Sequence, residues 1–433
     1  MEKLEITNFL SIEKAEIEIK KLNIFIGPQA QGKSLISKLI YFFKEYPQTL
    51  FEAVHRGMKT EGEYNGLALA KFEKIFPKYT WKNDQFNIRY SNKYYSISIA
   101  NLSIDPETNP VLELTLTGDA IFQDAFESLK SLKGELDRWV NSEKTLAHSL
   151  FNKNKNPYLE KVFYIPAGRS FFANLDKSIF SFLSSEIKID YFLTLFGKTY
   201  EGIRDAISEG YDGFEGYDDN YKEEKKRRLD GIVKHLIGGD YTFERGQDWI
   251  TNEKGKIKIA DASSGQQEAL PMAVVLSIEP YILPYIHTAN HFIIEEPEAH
   301  LFPVAQNEIV LLVANAYNHK KNHNHSDHVT FNGFNSFTIA THSPYILTAF
   351  NNLIQAGNVA ASKNYENLEE LHKIVPESEL IDFNDVTAYI VDQGTVKSIL
   401  NHELKLIDAN MIDEISDHFA DTFEKLISME ESQ

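Results

Sequence analysis

Short apolar runs between polar stretches predict buried strands at three places in the chain. These runs lie at residues 22–26, 162–166 and 292–294, and they are typical of strands covered on both faces. A helix is predicted directly after the first run, because apolar residues recur there at helical spacing, at Leu35, Ile36, Leu39, Ile40 and Phe43. A strand followed by a helix is the pattern of an α/β protein.

Alternating apolar and polar residues predict a second kind of strand, with one face exposed. The alternation runs through 15–19, 94–99 and 111–116, and Asp-Pro and Asn-Pro turn signals lie between the last two. We therefore expect an antiparallel lobe near 79–118. Other patterns predict a hairpin at 240–260 and helices at 48–76, 119–152, 171–238 and 403–430.

The loop after the first buried strand has the spacing of a phosphate-binding loop. It reads Gly-Pro-Gln-Ala-Gln-Gly-Lys-Ser over residues 27–34, which is Gly, four residues, then Gly-Lys-Ser. The glycines let backbone N–H groups approach phosphate oxygens, Lys33 would reach the β- and γ-phosphates, and Ser34 would ligate Mg²⁺. A chance Gly-Lys turn is the alternative, and the flanking strand and helix argue against it. The expected nucleotide contacts are Gly27, Gln29, Ala30, Gln31, Gly32, Lys33, Ser34 and Leu35.

The apolar run at 292–294 ends in two carboxylates, Glu295 and Glu296. One carboxylate at the end of a buried strand can hold Mg²⁺, usually through water, and the next can orient or deprotonate the attacking water. We assign Glu295 to the metal and Glu296 to the water. The alternative is an acidic surface turn, which the phosphate loop makes the weaker interpretation.

Two further strand or helix ends are candidates for phosphate contact. Residues 337–341 predict a strand that ends at His342, where an imidazole could touch a γ-phosphate and sense hydrolysis. A structural histidine is the alternative. Ser264, Gly265 and Gln266 begin a predicted helix, whose hydroxyl and free N–H groups suit a phosphate, although a plain cap by Ser263 or Ser264 is the simpler interpretation.

Composition narrows the class of protein. The chain has 433 residues, no cysteine and a net charge of −19. The lack of cysteine excludes disulfides, thiolate zinc sites and cysteine nucleophiles, and it favours a reducing compartment. The N-terminus is charged where a signal peptide is apolar, and no apolar run approaches the ~20 residues of a membrane span. We therefore expect a cytoplasmic protein with no membrane partner.

Two clusters leave alternatives open. Residues 222–228 read Lys-Glu-Glu-Lys-Lys-Arg-Arg, which predicts a solvated helix face, with contact to a phosphate backbone or to a partner as the alternative. The acidic net charge opposes nonspecific DNA binding, so DNA is a candidate partner only through such a local patch. Four histidines at 319–328 have no standard metal spacing, so we expect a solvated loop there.

Taken in order, these motifs resemble those of ATP-binding-cassette (ABC)-type ATPases of the SMC, Rad50 and RecF branch. The resemblance covers both ends of the chain and leaves about 48–260 unaligned. It implies an ABC-type P-loop ATPase head, with ATP and Mg²⁺ as cofactors and Glu296, His342 and Lys33 as catalytic residues. The segments that carry it resemble Walker A (27–34), the signature motif (263–267), Walker B with the catalytic glutamate (293–296), the D-loop (297–303), the switch histidine (341–344) and the first strand (4–9).

The expected organisation follows from this resemblance. We predict an ATPase core made from 1–47 and 261–402, a lobe of antiparallel strands and helices at 48–160, and a helical insertion with a hairpin at 161–260. A C-terminal helix is expected at 403–433.

The sequence departs from the usual pattern of the branch in two ways. The Walker B acid is usually Asp, whereas Glu295 is of the kind common in the overcoming-lysogenization-defect (OLD) ATPase group. There is no clear Q-loop glutamine. Arg169 lies where this group often has an arginine-containing segment, and the pattern assigns it no role.

A comparison with OLD nucleases indicates which kind of OLD-type ATPase the chain resembles. Those nucleases carry a TOPRIM domain with an Asp-x-Asp pair, and the 91 residues after His342 contain none. The chain therefore resembles OLD-like ATPases without TOPRIM, such as the ATPase components of the PARIS and Septu anti-phage systems. That resemblance implies a homodimer, or a higher homo-oligomer, through ATP-sandwiched heads in which Ser264, Gly265 and Gln266 face the partner's nucleotide.

The same resemblance implies that the ATPase gates a separate effector, a nuclease or a toxin. Two alternatives stay open. One is a RecF- or Rad50-like DNA-repair ATPase that binds DNA directly. The other is a nucleotide-binding scaffold without turnover, which Glu296 argues against.

Overall fold

The structure is a computed structural model that describes residues 2–58, 60–102, 112–118, 160–173, 189–215, 217–282, 289–319, 321–324, 330–362 and 367–408. Its strands are β1 (Glu2–Phe9), β2 (Ile12–Ile19), β3 (Leu22–Ile26), β4 (Phe86–Ser91), β5 (Tyr95–Asn101), β6 (Leu112–Gly118), β7 (Glu160–Ile165), β8 (Asp240–Glu244), β9 (Gln247–Asn252), β10 (Gly255–Lys258), β11 (Ala289–Glu295), β12 (Lys321–Asn324), β13 (Thr330–Thr341), β14 (Val386–Asp392), β15 (Thr395–Ser398), β16 (Leu400–Asn401) and β17 (Leu406–Ile407).

Its α-helices are α1 (Lys33–Lys44), α2 (Tyr46–His55), α3 (Glu61–Ile75), α4 (Ser170–Ala173), α5 (Tyr191–Ser208), α6 (Asp219–Ile237), α7 (Ser264–Ile278), α8 (Pro303–Tyr317), α9 (Pro344–Ala361) and α10 (Leu368–Ile374). Short 3-10 helices lie at Lys78–Thr80, Ile259–Asp261, Glu279–Tyr281, Glu377–Glu379 and Phe383–Asp385.

Within the described residues, twelve strands form one sheet with a parallel half and an antiparallel half. The order is β6-β5-β4-β1-β2-β15-β14-β3-β13-β11-β7, and β12 pairs with β13. The parallel half consists of β14, β3, β13, β11 and β7. The antiparallel half consists of β2, β1, β4, β5 and β6, and β15 joins the two halves. The predicted fold class, α/β with an added antiparallel region, is confirmed.

The sheet curls round α1. Lys44, at the end of this helix, places its Nζ 2.8 Å from Glu2 on β1 and 2.7 Å from Glu160 on β7. Seven strand spacings of about 4.8 Å separate β1 from β7, so a flat sheet would hold them roughly 34 Å apart. One ammonium group reaches both strands only because the sheet closes over the helix, which buries most of α1.

Two apolar cores result, one on each face of the parallel half. The inner core lies in the curl, where α1 packs on β1, β2, β4 and β5 and on Tyr164 and Ile293 of the parallel half. The outer core lies between the other face of the parallel strands and α6, α7, α8 and α9. Because helices or strands cover both faces, the parallel strands are apolar along most of their length. β3 is buried at every position.

The predicted helices at 48–76 and the predicted antiparallel strands near 79–118 are confirmed where they are described. Residues 48–76 form α2 and α3, and 240–260 form the three-stranded sheet β8-β9-β10 rather than a single hairpin. The predicted helix at 119–152 lies outside the described residues, as does 174–188 of the helical insertion. The division into domains stays a prediction, since the strands at 86–118 and β7 continue the sheet that carries the core strands.

The end of the chain differs from expectation where it is described. Residues 403–408 form a turn and β17 instead of beginning the predicted C-terminal helix. The reason is a tertiary contact: the side-chain amide of Asn351 on α9 donates to Ile407 O at 2.8 Å and accepts from Ile407 N at 2.9 Å. Residues 409–433 lie outside the described part. Among the residues that the structure describes, no helix is long and apolar enough to cross a membrane.

Candidate active site

The register of the parallel strands brings three chain segments to one edge of the sheet. Thr341 on β13 lies opposite Ile26 on β3, and Ala340 lies opposite Glu295 on β11. The residues that follow these strands, Gly27, His342 and Glu296, therefore lie side by side. Carboxyl ends of parallel strands are where α/β proteins bind ligands.

Both glycines of the predicted phosphate loop are required, because a Cβ would clash with neighbouring atoms and because the backbone has a positive φ there. Gly27 has φ +152°, and a Cβ there would lie 2.2 Å from Val391 O on β14. Gly32 has φ +106°, and its Cβ would lie 2.7 Å from the side chains of Ser11 and Ile12. Any side chain would push the loop off the neighbouring strands.

The other loop residues are divided between solvent and the protein interior. Gln29, Ala30 and Ser34 are exposed, while Leu35 is buried in the inner core. Gln31 accepts a hydrogen bond from Gln393 N at 2.9 Å, which ties the loop to the turn after β14. Gln29, Ala30 and Ser34 are therefore open to solvent at this edge of the sheet.

Lys33 places a cation inside this loop. Its side chain is 5% exposed, and Nζ donates to Gly27 O at 2.8 Å and Pro28 O at 2.6 Å. Burial lowers the pKa of Lys33, and the negative charges of Glu296 and Glu298 oppose that shift. The ammonium group is therefore bonded to two loop carbonyls and lies in the negative field of Glu296 and Glu298.

His342 joins Lys33 to Glu296. Its Nδ1 lies 3.2 Å from Lys33 Nζ, and its Nε2 lies 3.3 Å from Glu296 Oε1. Nδ1 also lies 3.0 Å from Gly27 O. A tautomer with hydrogen on Nε2 would let Nδ1 accept from the ammonium group and Nε2 donate to the carboxylate, whereas a tautomer with hydrogen on Nδ1 would donate to Gly27 O. The imidazole can therefore register a change at either neighbour.

The second acid of the pair is held in an unusual backbone conformation. Glu296 has φ +43°, a region that residues with a Cβ seldom adopt. Its N–H donates to Ala340 O at 2.8 Å, and its side chain is 42% exposed. Glu296 thus turns its carboxylate out of the strand toward His342 and the solvent side of the site.

Glu298 belongs to the same group, although we did not predict it. One carboxylate oxygen accepts from His342 N, and its charge acts on Lys33. The signal available in the sequence was its place three residues after Glu295, in the D-loop segment. A turn there brings the carboxylate back over the strand ends.

Glu295 is the one acid of the pair that points inward. It is 7% exposed, and its Oε1 is buried without a hydrogen-bond partner among the described residues. Burial raises the pKa of the Tyr164 hydroxyl, and the nearby Glu295 charge raises it further, yet the two groups are not within normal hydrogen-bond geometry. An unpaired buried carboxylate oxygen is costly and fits the single protein carboxylate that Mg²⁺ commonly uses beside phosphates.

No cluster of three or more His, Asp or Glu in the described part of the chain could hold a metal by itself. A magnesium ion at Glu295 would therefore need oxygens from Ser34, phosphates or water. That ligand set is the usual one for nucleotide-bound Mg²⁺.

The predicted signature segment forms a capped helix start at a different place. Ser263 is the N-cap of α7: its Oγ accepts from Gln266 N, and Gln266 Oε1 accepts from Ser263 N at 3.0 Å. Gln266 also donates to Ile237 O at 2.6 Å, so its side chain is engaged within the chain. Ser264 is exposed, and a Cβ on Gly265 would lie 2.7 Å from His300 O in the D-loop segment.

Within the described residues, this helix start is not bonded to the phosphate loop of its own chain. No hydrogen bond or ion pair among the described residues joins Ser264 or Gly265 to residues 27–35. The structure therefore brings Lys33, His342, Glu295 and Glu296 together, and it leaves Ser264 facing outward.

A family comparison agrees with the motif set. The AAA ATPase domain family matches residues 1–347, which is most of the chain. The chain belongs to the AAA ATPase domain family. No curated protein matches it.

Three solved structures resemble this chain over most of its length at low identity. A dimeric ATP-binding cassette bound to ADP and phosphate after hydrolysis is 10% identical, with 93% of this chain and 100% of the other covered and a TM-score of 0.30. The recombination mediator RecF is 11% identical (92% and 97% covered, TM-score 0.28). A nucleotide-free cassette from an ABC transporter is 11% identical (93% and 93% covered, TM-score 0.31). TM-scores this low carry no weight for function or assembly.

Most bases of the 222–228 cluster are paired with other side chains of this chain. Lys225 is buried and donates to Asn315 at 2.9 Å, and Arg228 donates to the buried Glu379 at 2.7 Å. Lys222 and Lys226 lie 3.0 and 3.4 Å from Asp212. Arg227 is exposed. Four of the five bases are thus paired within the molecule, which favours packing and local pairing over a phosphate-binding stripe at 222–228.

The predicted solvated histidine loop was wrong at its first member. His319 is 2% exposed and lies between two tyrosine hydroxyls, Tyr217 at 2.8 Å and Tyr221 at 2.7 Å. The ring is buried because α6 packs on the end of α8. His323 lies on β12, and the other two histidines lie outside the described residues.

Proposed function

We propose that this chain binds ATP with Mg²⁺ and hydrolyses the nucleotide. One observation carries the proposal: Lys33, His342 and Glu296 form a continuous chain of contacts across three adjacent strand ends. A cation, an imidazole and an exposed carboxylate in that order suit a γ-phosphate followed by an attacking water. An acidic surface turn would not need the buried ammonium group beside it.

The residues divide the work as follows. The loop N–H groups and Lys33 would bind the phosphates, and Ser34 with Glu295 would hold the metal ion. Bound Mg²⁺ supplies charge neutralisation at the β- and γ-phosphate oxygens. Glu296 would orient or deprotonate the water, and His342, in contact with both Lys33 and Glu296, would respond to loss of the γ-phosphate.

ATP turnover by purified variants tests this proposal. Glu296→Gln should bind ATP normally and hydrolyse it at least about 100-fold more slowly, because it removes a role needed only in the transition state. Lys33→Ala should weaken ATP binding itself. The matched control is Glu16→Gln, whose side chain is 71% exposed on the antiparallel half. Wild-type turnover in Glu296→Gln would refute the catalytic assignment.

We further propose that two copies sandwich two ATP molecules. Ser264 is exposed at the start of α7 and makes no hydrogen bond to residues 27–35 of its own chain among the described residues, so the N–H groups of this helix start could meet a partner's nucleotide. Exposed apolar side chains lie near the site at Phe302, Val304 and Tyr345, which are 77, 70 and 55% exposed. The helix starts that carry them are joined by a Ser343–Gln306 hydrogen bond of 2.6 Å. A second copy would cover this apolar surface.

Mixing two inactive variants tests the shared site. Lys33→Ala and Ser264→Arg each damage every site of their own homodimer, whereas a mixed dimer holds one site with both lesions and one with neither. We expect the mixture to regain part of the turnover. If mixed dimers form and stay as inactive as each parent, the composite site is disproved while single-chain ATP binding is not.

We propose an OLD-like, cytoplasmic role in which ATP turnover gates a separate effector, a nuclease or toxin in anti-phage defence. The motif set, with Glu295 in place of the usual Walker B Asp, supports this choice over a RecF- or Rad50-like repair ATPase that holds DNA directly. The internal pairing of the 222–228 bases also weakens the DNA alternative. Copurification decides between them: a nuclease or toxin supports gating, and DNA supports the repair ATPase.

A further inference from the structure

Arg169 is buried beneath the two acids of the site. It follows β7 and is 0% exposed. Its Nη1 donates to Pro166 O and to Glu295 O, both at 2.7 Å, and its Nη2 donates to Glu296 O at 2.9 Å. The planar guanidinium thus holds the backbone carbonyls of both acids at once, which an ammonium group could not do with the same geometry.

Glu268 holds Arg169 from the other side. It lies on α7, four residues after Ser264, and is 2% exposed. Its Oε2 accepts from Arg169 N at 2.9 Å, its backbone carbonyl accepts from Arg169 Nε at 3.1 Å, and its Oε1 accepts from Ser170 N and Oγ at 3.0 and 2.7 Å. Every polar atom of the carboxylate is therefore used to fix this turn.

The backbone of Glu296 needs such support. Its φ of +43° is strained for a residue with a Cβ, and strained residues persist only when their surroundings determine them from more than one direction. The N–H of Glu296 is held by Ala340 on β13, and its carbonyl is held by Arg169. The direction of the Glu296 side chain follows from these two bonds.

We propose that Arg169 is a positioning residue for Glu296, and that Glu268 fixes the position of Arg169 relative to the helix that begins at Ser264. The proposal rests on the proposed function, since it concerns how the hydrolytic carboxylate is aimed. Ser264 and Glu268 are four residues apart and so lie on one side of α7. A phosphate contact at Ser264 would then be connected to the backbone of Glu296 through α7, Glu268 and Arg169, because the Glu268 carboxylate accepts from Arg169 N and Arg169 Nη2 donates to Glu296 O.

The alternative is that Arg169 and Glu268 are only a buried ion pair that stabilises the fold. The chain contains a matched pair for that case: Arg204 Nη1 lies 3.0 Å from Asp248 Oδ2, with side chains 8 and 2% exposed. This pair joins α5 to β9 and, among the described residues, makes no hydrogen bond to the strand ends of the site. Both arginines should matter for stability, and only Arg169 should matter for turnover.

The experiment compares Arg169→Lys with Arg204→Lys in the full chain. Both variants should lose thermal stability. Arg169→Lys should lower kcat by about 100-fold, the scale expected when a catalytic group is misplaced by about 1 Å, with KM for ATP within about twofold of wild type. Arg204→Lys should leave kcat within about twofold.

A second measurement separates positioning from general damage. If Arg169 acts through Glu296, adding Arg169→Lys to Glu296→Gln should not slow single-turnover hydrolysis further, because the group being positioned is already gone. Independent damage would multiply the two losses. Glu268→Gln keeps the size of the side chain and one acceptor oxygen, and it should show the same kcat effect as Arg169→Lys in smaller measure.

The outcomes are distinct. Wild-type kcat in both Arg169→Lys and Glu268→Gln would overturn the positioning role, as would multiplicative losses with Glu296→Gln. If Arg169→Lys fails to fold, Glu268→Gln alone decides, with Asp248→Asn as its control. A wild-type chain that does not hydrolyse ATP at all would instead refute the proposed function.

Discussion

The two halves of the sheet are built from one continuous set of strands, yet only one of them carries candidate chemistry. In the parallel half, β3 and β11 are buried at every position, and the loops after β3, β11 and β13 supply the Lys33, Glu296 and His342 cluster. In the antiparallel half, β4 and β5 alternate between buried and partly exposed residues, and no site residue we identify lies there.

The difference follows from strand direction. Parallel strands end at the same edge, so the residues after them collect in one place. Antiparallel neighbours end at opposite edges, so their loops are divided between the two. The antiparallel half instead supplies apolar cover for α1, whose N-terminus begins at the phosphate loop. The candidate site residues thus lie in one half of the sheet, and the other half packs against the helix that follows the phosphate loop.

The largest expected effect is at Gly27. Gly27→Ala should abolish ATP binding and turnover, because its Cβ would lie 2.2 Å from Val391 O. The control is Gly66→Ala in α3, where a Cβ meets nothing within 4 Å; turnover should be unchanged and stability should rise by up to about 1 kcal/mol. Nucleotide binding by calorimetry and thermal unfolding measure both. Normal ATP affinity in Gly27→Ala would contradict the loop assignment.

Core truncations in each half sharpen the comparison. Ile97 on β5 and Ile294 on β11 are both 0% exposed. Each change to Ala should cost about 2–5 kcal/mol of unfolding free energy. Turnover per folded molecule should fall about tenfold for Ile294→Ala, which precedes the acid pair, and stay near wild type for Ile97→Ala. Equal kcat values in the two variants would show that the strand ends tolerate loss of core packing.

Two exposed aromatic residues test the proposed dimer surface. Phe302 lies beside the site and Tyr79 in the 3-10 helix after α3, at 77 and 78% exposure. In a Glu296→Gln background with ATP, Phe302→Ser should weaken dimerisation about tenfold, which is about 1.4 kcal/mol, while Tyr79→Ser should leave it unchanged. Sedimentation velocity provides the measurement. Equal effects, or none, would place the interface elsewhere.

The smallest expected effect concerns a buried cation on the parallel side. Burial lowers the pKa of Lys225 to about 8, so between pH 8 and 9.5 the unfolded chain binds more protons than the folded chain. The stability contributed at this residue should therefore rise with pH in that window, by about 1 kcal/mol.

Denaturant unfolding of wild type and Lys225→Met at several pH values measures that change. The unfolding free energy of wild type minus that of Lys225→Met should rise from pH 8 to 9.5. Lys3→Met on the antiparallel half, where the residue is exposed, should show a constant difference. A constant difference for Lys225→Met as well would mean that the buried ammonium group is better solvated than its surroundings suggest.

Local patterns in the sequence were enough to predict the strands and loops that carry the site. Gly27 to Ser34, Glu295-Glu296 and His342 each follow a short apolar run, and a buried strand before a polar loop is recognisable without any contact information. The alternation at 94–99 predicted the antiparallel strands for the same reason. The histidine at 319 and the turn at 403–408 were not predictable, because Tyr217, Tyr221 and the amide of Asn351 decide their conformations.

The sequence by itself determined the family, the fold class and the order of the candidate phosphate contacts, since these depend on residue types at short spacings. Only the tertiary structure decided that Lys33, His342 and Glu296 touch, that Lys225 is buried, and that Arg169 holds the carbonyls of both acids. The physical reason is the separation along the chain of the residues that interact. A helix or a glycine loop is specified by neighbours in sequence, whereas Arg169 and Glu295 are 126 residues apart and meet only when β7 pairs with β11.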